Sequence, residues 1–411
     1  MSDSARGIVA IVGQGYVGLP LAMAAASSGW KILGIDHFEE RVLSLNSGKS
    51  HIEDVKENQL QEAIKSGRYI ASGDFEQISS ADICILCVPT PVDSAGNPDT
   101  SYLERAVISV APHLKKGALL INESTSYPGT VRELIIPLVE KHRGEGVESL
   151  LFSSSPERVD PGNTLWNLKS TPRLVSGIDE ESKASVVNFY RSFCDEVILV
   201  SSPEVAEMAK LLENTFRQVN IALVNQLLPL SQKLGIDLRE VIEAAGSKPY
   251  GYMKFFPGAG VGGHCIPVDP LYLLWKARDL GVDLPFVANA DQVNSAMPKY
   301  VVQRLIDLAK PESGSLIAVL GVSYKPGVSD TRESPAEDVM NELKSKGFKP
   351  LWSDPLVESF HDFEQYNGQK VSGAILVTNQ AGLPISDLID SGVKVLDCTG
   401  TLKGISLVEQ L

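Results

Sequence analysis

The chain has 411 residues, enough for two or three domains that each bury their own core. Hydrophobic residues make up 43% and charged residues 21%, which excludes a disordered or fibrous protein, and no apolar run reaches the length that spans a bilayer. A net charge of -14 argues against a non-specific binder of nucleic acid or anionic membrane, while leaving local binding of an anionic nucleotide open.

The start, Met1 to Arg6, runs straight into an apolar strand without a signal-peptide pattern, so a cytoplasmic location is expected. Residues 7 to about 200 alternate between strand-like and helix-like stretches, the pattern of a doubly wound parallel sheet. Strands are expected at 8–12, 31–35, 83–88, 118–122, 150–153 and 196–200. Between the first strand and an Ala-rich helix stands Gly13-Gln14-Gly15-Tyr16-Val17-Gly18. Glycines at this spacing allow a tight turn, close approach of the backbone to a pyrophosphate and close helix-to-strand packing, with the phosphates at the helix N-terminus. Asp36 ends the second strand where an acid accepts ribose hydroxyls and repels a 2′-phosphate, which favours NAD over NADP. Arg41 is near enough to meet the cofactor; the other reading is a solvated helix position.

Two later strand ends, Val88-Pro89-Thr90-Pro91 and Glu123-Ser124-Thr125, face the same crevice. Thr90 and Thr125 are candidates to contact the nicotinamide ribose or a reacting sugar, or else to cap helices. Near Ser201 the alternation gives way to a long helical run through Leu234, which Pro229 is expected to kink or interrupt. Such a helix serves either as a spine packed against its own copy in a homodimer or as a helix buried within one subunit. From Ser315 a second α/β pattern begins, with strands expected at 316–320, 349–352, 374–378 and 394–397 and a helix at 335–346. The fold class is therefore α/β, with two Rossmann-like doubly wound domains, 1–200 and 311–411, joined by a central helical domain, 201–310.

The five cysteines are Cys84, Cys87, Cys194, Cys265 and Cys398. An odd number without metal-ligand spacing predicts neither a disulfide framework nor a metal site. Cys84 and Cys87 have CxxC spacing, but strand alternation turns their thiols apart. Cys265 differs, because it stands between Gly260-Val261-Gly262-Gly263-His264 and Ile266-Pro267-Val268-Asp269-Pro270, in a tight loop suited to a nucleophile. A thiol beside a nicotinamide cofactor makes a second oxidation available. It adds to an aldehyde, the thiohemiacetal is oxidised to a thioester, and water releases a carboxylic acid. Upstream, Phe255-Phe256-Pro257-Gly258-Ala259-Gly260 offers backbone amides to a pyrophosphate and aromatic surface to a sugar or base.

Six stretches, 13–22, 88–91, 155–158, 210–214, 262–269 and 325–335, together resemble the UDP-glucose/GDP-mannose dehydrogenase family in order and spacing. These are NAD-dependent four-electron oxidoreductases that convert the C6 hydroxymethyl of a nucleotide sugar into a carboxylate, using two NAD per turnover. The resemblance implies that Cys265 is the nucleophile and that Lys210 and Asn214, one helical turn apart, stabilise the alkoxide and position water. Asp269 would accompany the cysteine, Thr125 would join the reacting centre, and Glu157 would serve thioester hydrolysis as a general base with a raised pKa. Lys325 and Arg332 would contact nucleotide phosphate or close the site, Gly262 would line the substrate loop, and Lys248 would reach a phosphate across a homodimer. The chain departs from the UDP-glucose branch after Glu157, where Arg158-Val159-Asp160-Pro161-Gly162 stands in place of a second glutamate before glycine. The segments 155–162 and 262–270 look like the branch acting on UDP-N-acetylhexosamines, UDP-GlcNAc or UDP-ManNAc, and Arg158 would donate to the acetamido carbonyl. Rival readings are a UDP-glucose 6-dehydrogenase, a nucleotide-sugar-binding protein without catalysis, and a two-electron hydroxyacid dehydrogenase.

Overall fold

A computed structural model describes residues 6–52, 54–93, 95–159, 165–263 and 265–411; the expectations placed on residues 1–5, on 160–162 and on His264 lie outside them. The chain divides into two compact units, Met1–Leu212 with Leu271–Leu280, and Glu213–Pro270 with Gly281–Leu411.

In the first unit β1 (Ile8–Val12), β2 (Lys31–Ile35), β3 (Tyr69–Ser72), β4 (Ile83–Leu86), β5 (Leu119–Asn122), β6 (Leu151–Ser154), β7 (Arg173–Gly177) and β8 (Val197–Leu199) form one sheet. Their order is β3-β2-β1-β4-β5-β6-β7-β8. The first six strands are parallel, which puts the switch point between β1 and β4, where open α/β sheets bind ligands. The expected parallel run stops there, because β7 pairs antiparallel to β6 while β8 is parallel to β7. The described residues between β6 and β7 hold no helix to carry the chain back across the sheet, as a parallel pairing requires. Strands β3 and β7 were not anticipated, the first being short and the second opening on an arginine.

The central strands are apolar at nearly every position, Asn122 at the end of β5 excepted, because both faces are covered. Val9, Ile11, Ile85 and Ile121 pack with Leu19, Met23, Val186 and Phe189 of the helices Gly18–Ser27 and Glu180–Tyr190. Ala10, Val12, Cys84, Leu86 and Leu120 pack on the other side with Leu103 and Val107 of the helix Ser101–Val110. Cys84 thus joins one core while Cys87 packs against the other, so the CxxC thiols do face apart.

The second unit holds a parallel sheet of β9 (Leu316–Leu320), β10 (Lys349–Ser353), β11 (Glu364–Gln365), β12 (Ala374–Leu376), β13 (Val395–Asp397) and β14 (Val408–Gln410). The order β11-β10-β9-β12-β13-β14 places its switch point between β9 and β12. The polar edge strands β11 and β14 are too short to leave a sequence pattern.

One helix of 32 residues, Pro203–Leu234, contributes to both units. It continues through Pro229, so the interruption that the proline made possible does not occur. A proline inside a helix costs about 3 kcal/mol, and here Ala222, Val224, Asn225, Leu228 and Ser231 are all buried around it, so packing outweighs the lost hydrogen bond. The same helix leaves Val205, Met208, Leu212, Phe216, Leu223, Leu227, Leu230 and Leu234 exposed, three, four or seven residues apart along one stripe. Among the described residues no helix is long and apolar enough to cross a membrane.

Candidate active site

In the first unit the chain leaves β1 through a turn that two glycines make possible. Gly13 has φ +92°, and a Cβ on it would stand 2.3 Å from the Cys87 carbonyl oxygen; a Cβ on Gly18 would stand 1.8 Å from the carbonyl oxygen of Gly13. Gly15 has no such internal reason, since nothing lies within 4 Å of the Cβ it lacks. Its bare backbone leaves room at the N-terminus of the helix Gly18–Ser27, where a pyrophosphate fits. Tyr16 and Val17 complete the turn, both partly buried.

Asp36 is buried at the end of β2 and accepts hydrogen bonds from the Gln14 amide (2.9 Å), the Phe38 amide (3.1 Å) and Arg41 Nη1 (2.9 Å). Burial alone would raise its pKa, but the two amides and the Arg41 guanidinium outweigh that and hold the carboxyl below its ordinary range. A pinned carboxylate beside the glycine turn suits the ribose diol of NAD. Arg41 is therefore not simply solvated, for it pairs with Asp36 and lies 4.9 Å from the centre of the Phe38 ring.

Beyond β4, Pro89 is exposed and Thr90 buried; beyond β5, Thr125 is half-buried. Neither threonine caps a helix, because the residues preceding the next helical segments are Thr100 and Thr130. Ser124, which sequence reasoning passed over, ties the two strand ends together by accepting from the Val88 amide at 2.9 Å.

Glu157 follows β6 with its carboxylate partly exposed. Its Oε1 accepts from the amides of Arg158 (2.7 Å) and Val159 (2.6 Å), and its Oε2 from Arg173 Nη1 (2.9 Å). The expected raised pKa is overturned. Burial acts upward, but Arg173, the Val159 amide and the charge of Lys210 together hold Glu157 below its ordinary range. Arg173, from β7, is buried and also donates to Ser155 Oγ (2.9 Å) and Ser155 O (3.1 Å) and pairs with Glu123. Glu123 is fully buried, accepts from the Tyr190 hydroxyl, and is the carboxyl whose pKa is raised, to about 7, chiefly by burial. Sequence reasoning missed both Glu123 and Arg173 as site residues; a lone arginine opening an otherwise uncharged strand was the available signal.

In the second unit the Cys265 loop is held by close packing. Gly263 has φ +89°, a Cβ on Gly262 would stand 3.0 Å from Pro335 Cδ, and one on Gly263 would stand 3.0 Å from the Tyr324 ring. Cys265 is exposed and its carbonyl accepts from the Asp269 amide (2.9 Å), which opens the helix Asp269–Asp279. By contrast Cys84 and Cys194 are buried and Cys87 partly so, and burial pushes all three thiols up, Cys84 and Cys194 to about 12. Asp269 is buried and accepts from Asn214 Nδ2. Lys210, buried in the first unit, precedes Asn214 by one turn of the long helix.

The remaining substrate candidates are placed less simply. The Gly258 amide donates to Asn225 Oδ1 (3.1 Å), so it is engaged within the protein and not offered to a pyrophosphate. Phe256 is partly exposed beneath Arg239, which also donates to the carbonyls of Pro257 and Cys398, each at 2.9 Å. Lys248 lies over Tyr250, and Lys325 over Tyr324 at 5.9 Å from the ring centre. The Lys325 loop is fastened by Gln380, which donates to Ser323 Oγ (2.6 Å) and Val328 O (3.2 Å) and accepts from the Gly327 amide (2.8 Å). Arg332 turns its guanidinium to Asp330 of its own loop, and Arg158 donates to the Pro172 carbonyl (2.7 Å).

A β3-β2-β1-β4-β5-β6 sheet with an open glycine turn and a pinned acid after β2 defines a dinucleotide-dependent enzyme of the Rossmann class. Three family descriptions then match in order: the UDP-glucose/GDP-mannose dehydrogenase NAD-binding domain over residues 8–194, the central domain over 204–296 and the UDP-binding domain over 318–383. The chain belongs to the UDP-glucose/GDP-mannose dehydrogenase family and is an NAD-dependent nucleotide-sugar 6-dehydrogenase. It is 38% identical to a UDP-N-acetyl-D-mannosamine dehydrogenase of Pyrococcus horikoshii over 86% of this chain and 85% of that one. It is 34% identical to a UDP-N-acetyl-D-glucosamine 6-dehydrogenase of Pseudomonas aeruginosa over 87% of this chain and 85% of that one. Among solved structures it superimposes on UDP-D-ManNAc dehydrogenase from Pyrococcus horikoshii with a TM-score of 0.88 at 32% identity, covering 98% of both chains. A UDP-glucose dehydrogenase from Pyrobaculum islandicum gives a TM-score of 0.86 at 27% identity, covering 97% of this chain and 95% of that one.

Proposed function

We propose that this enzyme oxidises the C6 hydroxyl of a UDP-N-acetylhexosamine, UDP-ManNAc or UDP-GlcNAc, to the carboxylate in two steps on one site in the cytoplasm. The observation that carries the reading is the exposed Cys265, in a glycine-walled loop that leads directly to the buried Asp269–Asn214 pair. Bound NAD, seated by Gly13, Gly15, Gly18 and Asp36 with Thr90 and Thr125 at the strand ends, supplies the hydride acceptor for each oxidation.

The C6 hydroxyl first loses a hydride from carbon and its proton to solvent, giving the aldehyde. Cys265 Sγ then adds to that carbon, forming a C–S bond while its proton passes to the aldehyde oxygen, and loss of hydride from the carbon and of the hydroxyl proton to solvent leaves a thioester. Lys210 and Asn214 donate to the developing alkoxide. Glu157, kept as a carboxylate by Arg173, takes the proton of the attacking water, and the C–S bond breaks to return the thiol and release the acid. Lys325, Arg332 and Lys248 bind phosphate, and Gly258, Gly262 and Phe256 line the sugar's approach. Arg158 donates to the acetamido carbonyl. The apolar stripe on the helix Pro203–Leu234 joins two copies into a homodimer. The likeness to the Pyrobaculum enzyme keeps UDP-glucose as the second reading.

The test is a count of NADH per sugar with excess NAD and limiting UDP-ManNAc, UDP-GlcNAc or UDP-glucose, run beside Cys265→Ser. Two NADH from an acetamido sugar, lost or stopped short of the acid in the variant, would support the reading. Two from UDP-glucose alone would move it to the second, and one NADH from wild type would refute the thioester route.

A further inference from the structure

Behind Glu157 the first unit buries a second carboxylate on the same guanidinium. We propose that Glu123 and Arg173 are positioning residues for Glu157, and that Glu123 holds a proton whose loss strengthens Glu157 as a base. The inference rests on the role given to Glu157 above.

The geometry sets the two carboxylates apart. Glu157 receives Arg173 Nη1, two backbone amides and the charge of Lys210, and its edge reaches solvent. Glu123 has no surface, and the cation it has is the Arg173 it shares with Glu157, together with the Tyr190 hydroxyl. The other titratable groups facing it are Cys87 beyond β4 and Cys194 beyond the helix Glu180–Tyr190, and burial keeps both thiols neutral. Two carboxylates on one buried guanidinium ionise together only at high cost, so the drier and less compensated one takes the proton. That is Glu123, whose pKa is lifted to about 7, while Glu157 stays ionised.

While Glu123 is neutral, the full charge of Arg173 bears on Glu157 and weakens it as a base. Once Glu123 loses its proton, Arg173 is divided between two anions and the proton affinity of Glu157 rises. The two carboxylates are coupled through Arg173, which stays charged throughout, so thioester hydrolysis should accelerate through neutrality beyond what Glu157 alone would give.

The experiment has two arms. Infrared titration of the whole enzyme should show a buried protonated carboxyl that ionises near neutral pH and is missing from Glu123→Gln. In pre-steady-state assays of acid release, Glu123→Gln should lose the rising limb near neutrality. Tyr190→Phe, which removes a hydroxyl donated to the Glu123 carboxylate, should move that limb to higher pH. No such carboxyl in wild type, or the same limb in wild type and both variants, would overturn the proposal. Should Glu123→Gln not fold, Tyr190→Phe and an infrared titration of Glu207→Gln, which lacks the other buried carboxyl lifted toward neutrality, still decide. If wild type yields no second NADH, the four-electron reading fails, and the infrared arm alone judges whether Glu123 carries the proton.

Discussion

Gly13 and Gly15 are two residues apart and carry different burdens. A Cβ at the first collides with Cys87 and must accept a left-handed φ; a Cβ at the second meets empty space. Gly13→Ala should therefore destabilise the protein by more than the ~1–2 kcal/mol of the backbone conformation alone. Gly15→Ala should melt within ~0.5 kcal/mol of wild type yet bind NAD at least tenfold more weakly. Thermal unfolding beside a calorimetric NAD titration separates the two, and equal losses of stability would show that Gly15 is structural as well. Residues of this kind were legible in the chain because their chemistry is local: Asp36 follows its strand and Cys265 sits inside its own loop motif. Glu123 and Arg173 were not, since they lie 50 positions apart in sequence and meet only because of the order in which the strands lie. No spacing rule brings them together.

Elements explain which expectations failed. The long helix and the inner strands of both sheets follow from apolar runs and their punctuation. The turnabout at β7 depends on a connection whose path no periodicity encodes, and Arg173 owes its place in the buried cluster to that turnabout. The long helix also holds Glu207, buried, with its carboxylate accepting from the amides of Gly129 (2.7 Å) and Val131 (3.2 Å). Burial, opposed by those amides and aided by Glu204 and Glu133, lifts its pKa to about 8. The folded state thus keeps a proton that the unfolded chain releases at an ordinary carboxyl pKa. Stability from this group is full below that ordinary value and is lost as pH rises toward about 8. Glu207→Gln should remove that decline, leaving the variant a few kcal/mol more stable than wild type on the alkaline side. Urea melts across the pH range check it, and parallel curves would show that Glu207 is ionised in the fold.

For the whole molecule, family and cofactor were legible because six motifs recur in order along nearly the full chain, whereas the sugar was not, because discrimination among epimers rests on a few side-chain contacts. Subunit association belongs to this scale too. The exposed stripe from Val205 to Leu234 is longer than a monomer ordinarily leaves in water. Replacing Leu223 and Leu230 by Glu should shift the sedimentation of the enzyme from dimer to monomer while each chain keeps its helix content. A wild-type monomer, or a double variant that still sediments as a dimer, would assign the stripe another role.

Cys265 is exposed while burial keeps the thiols of Cys84, Cys87 and Cys194 protonated. An opening wide enough for an aldehyde is wide enough for peroxide, and a thiol reactive enough to attack carbon is reactive enough to become a sulfenic acid. Oxidative damage to these four thiols would therefore concentrate at Cys265, the position on which the proposed thioester route depends, and on that route a bound nucleotide sugar would double as its shield.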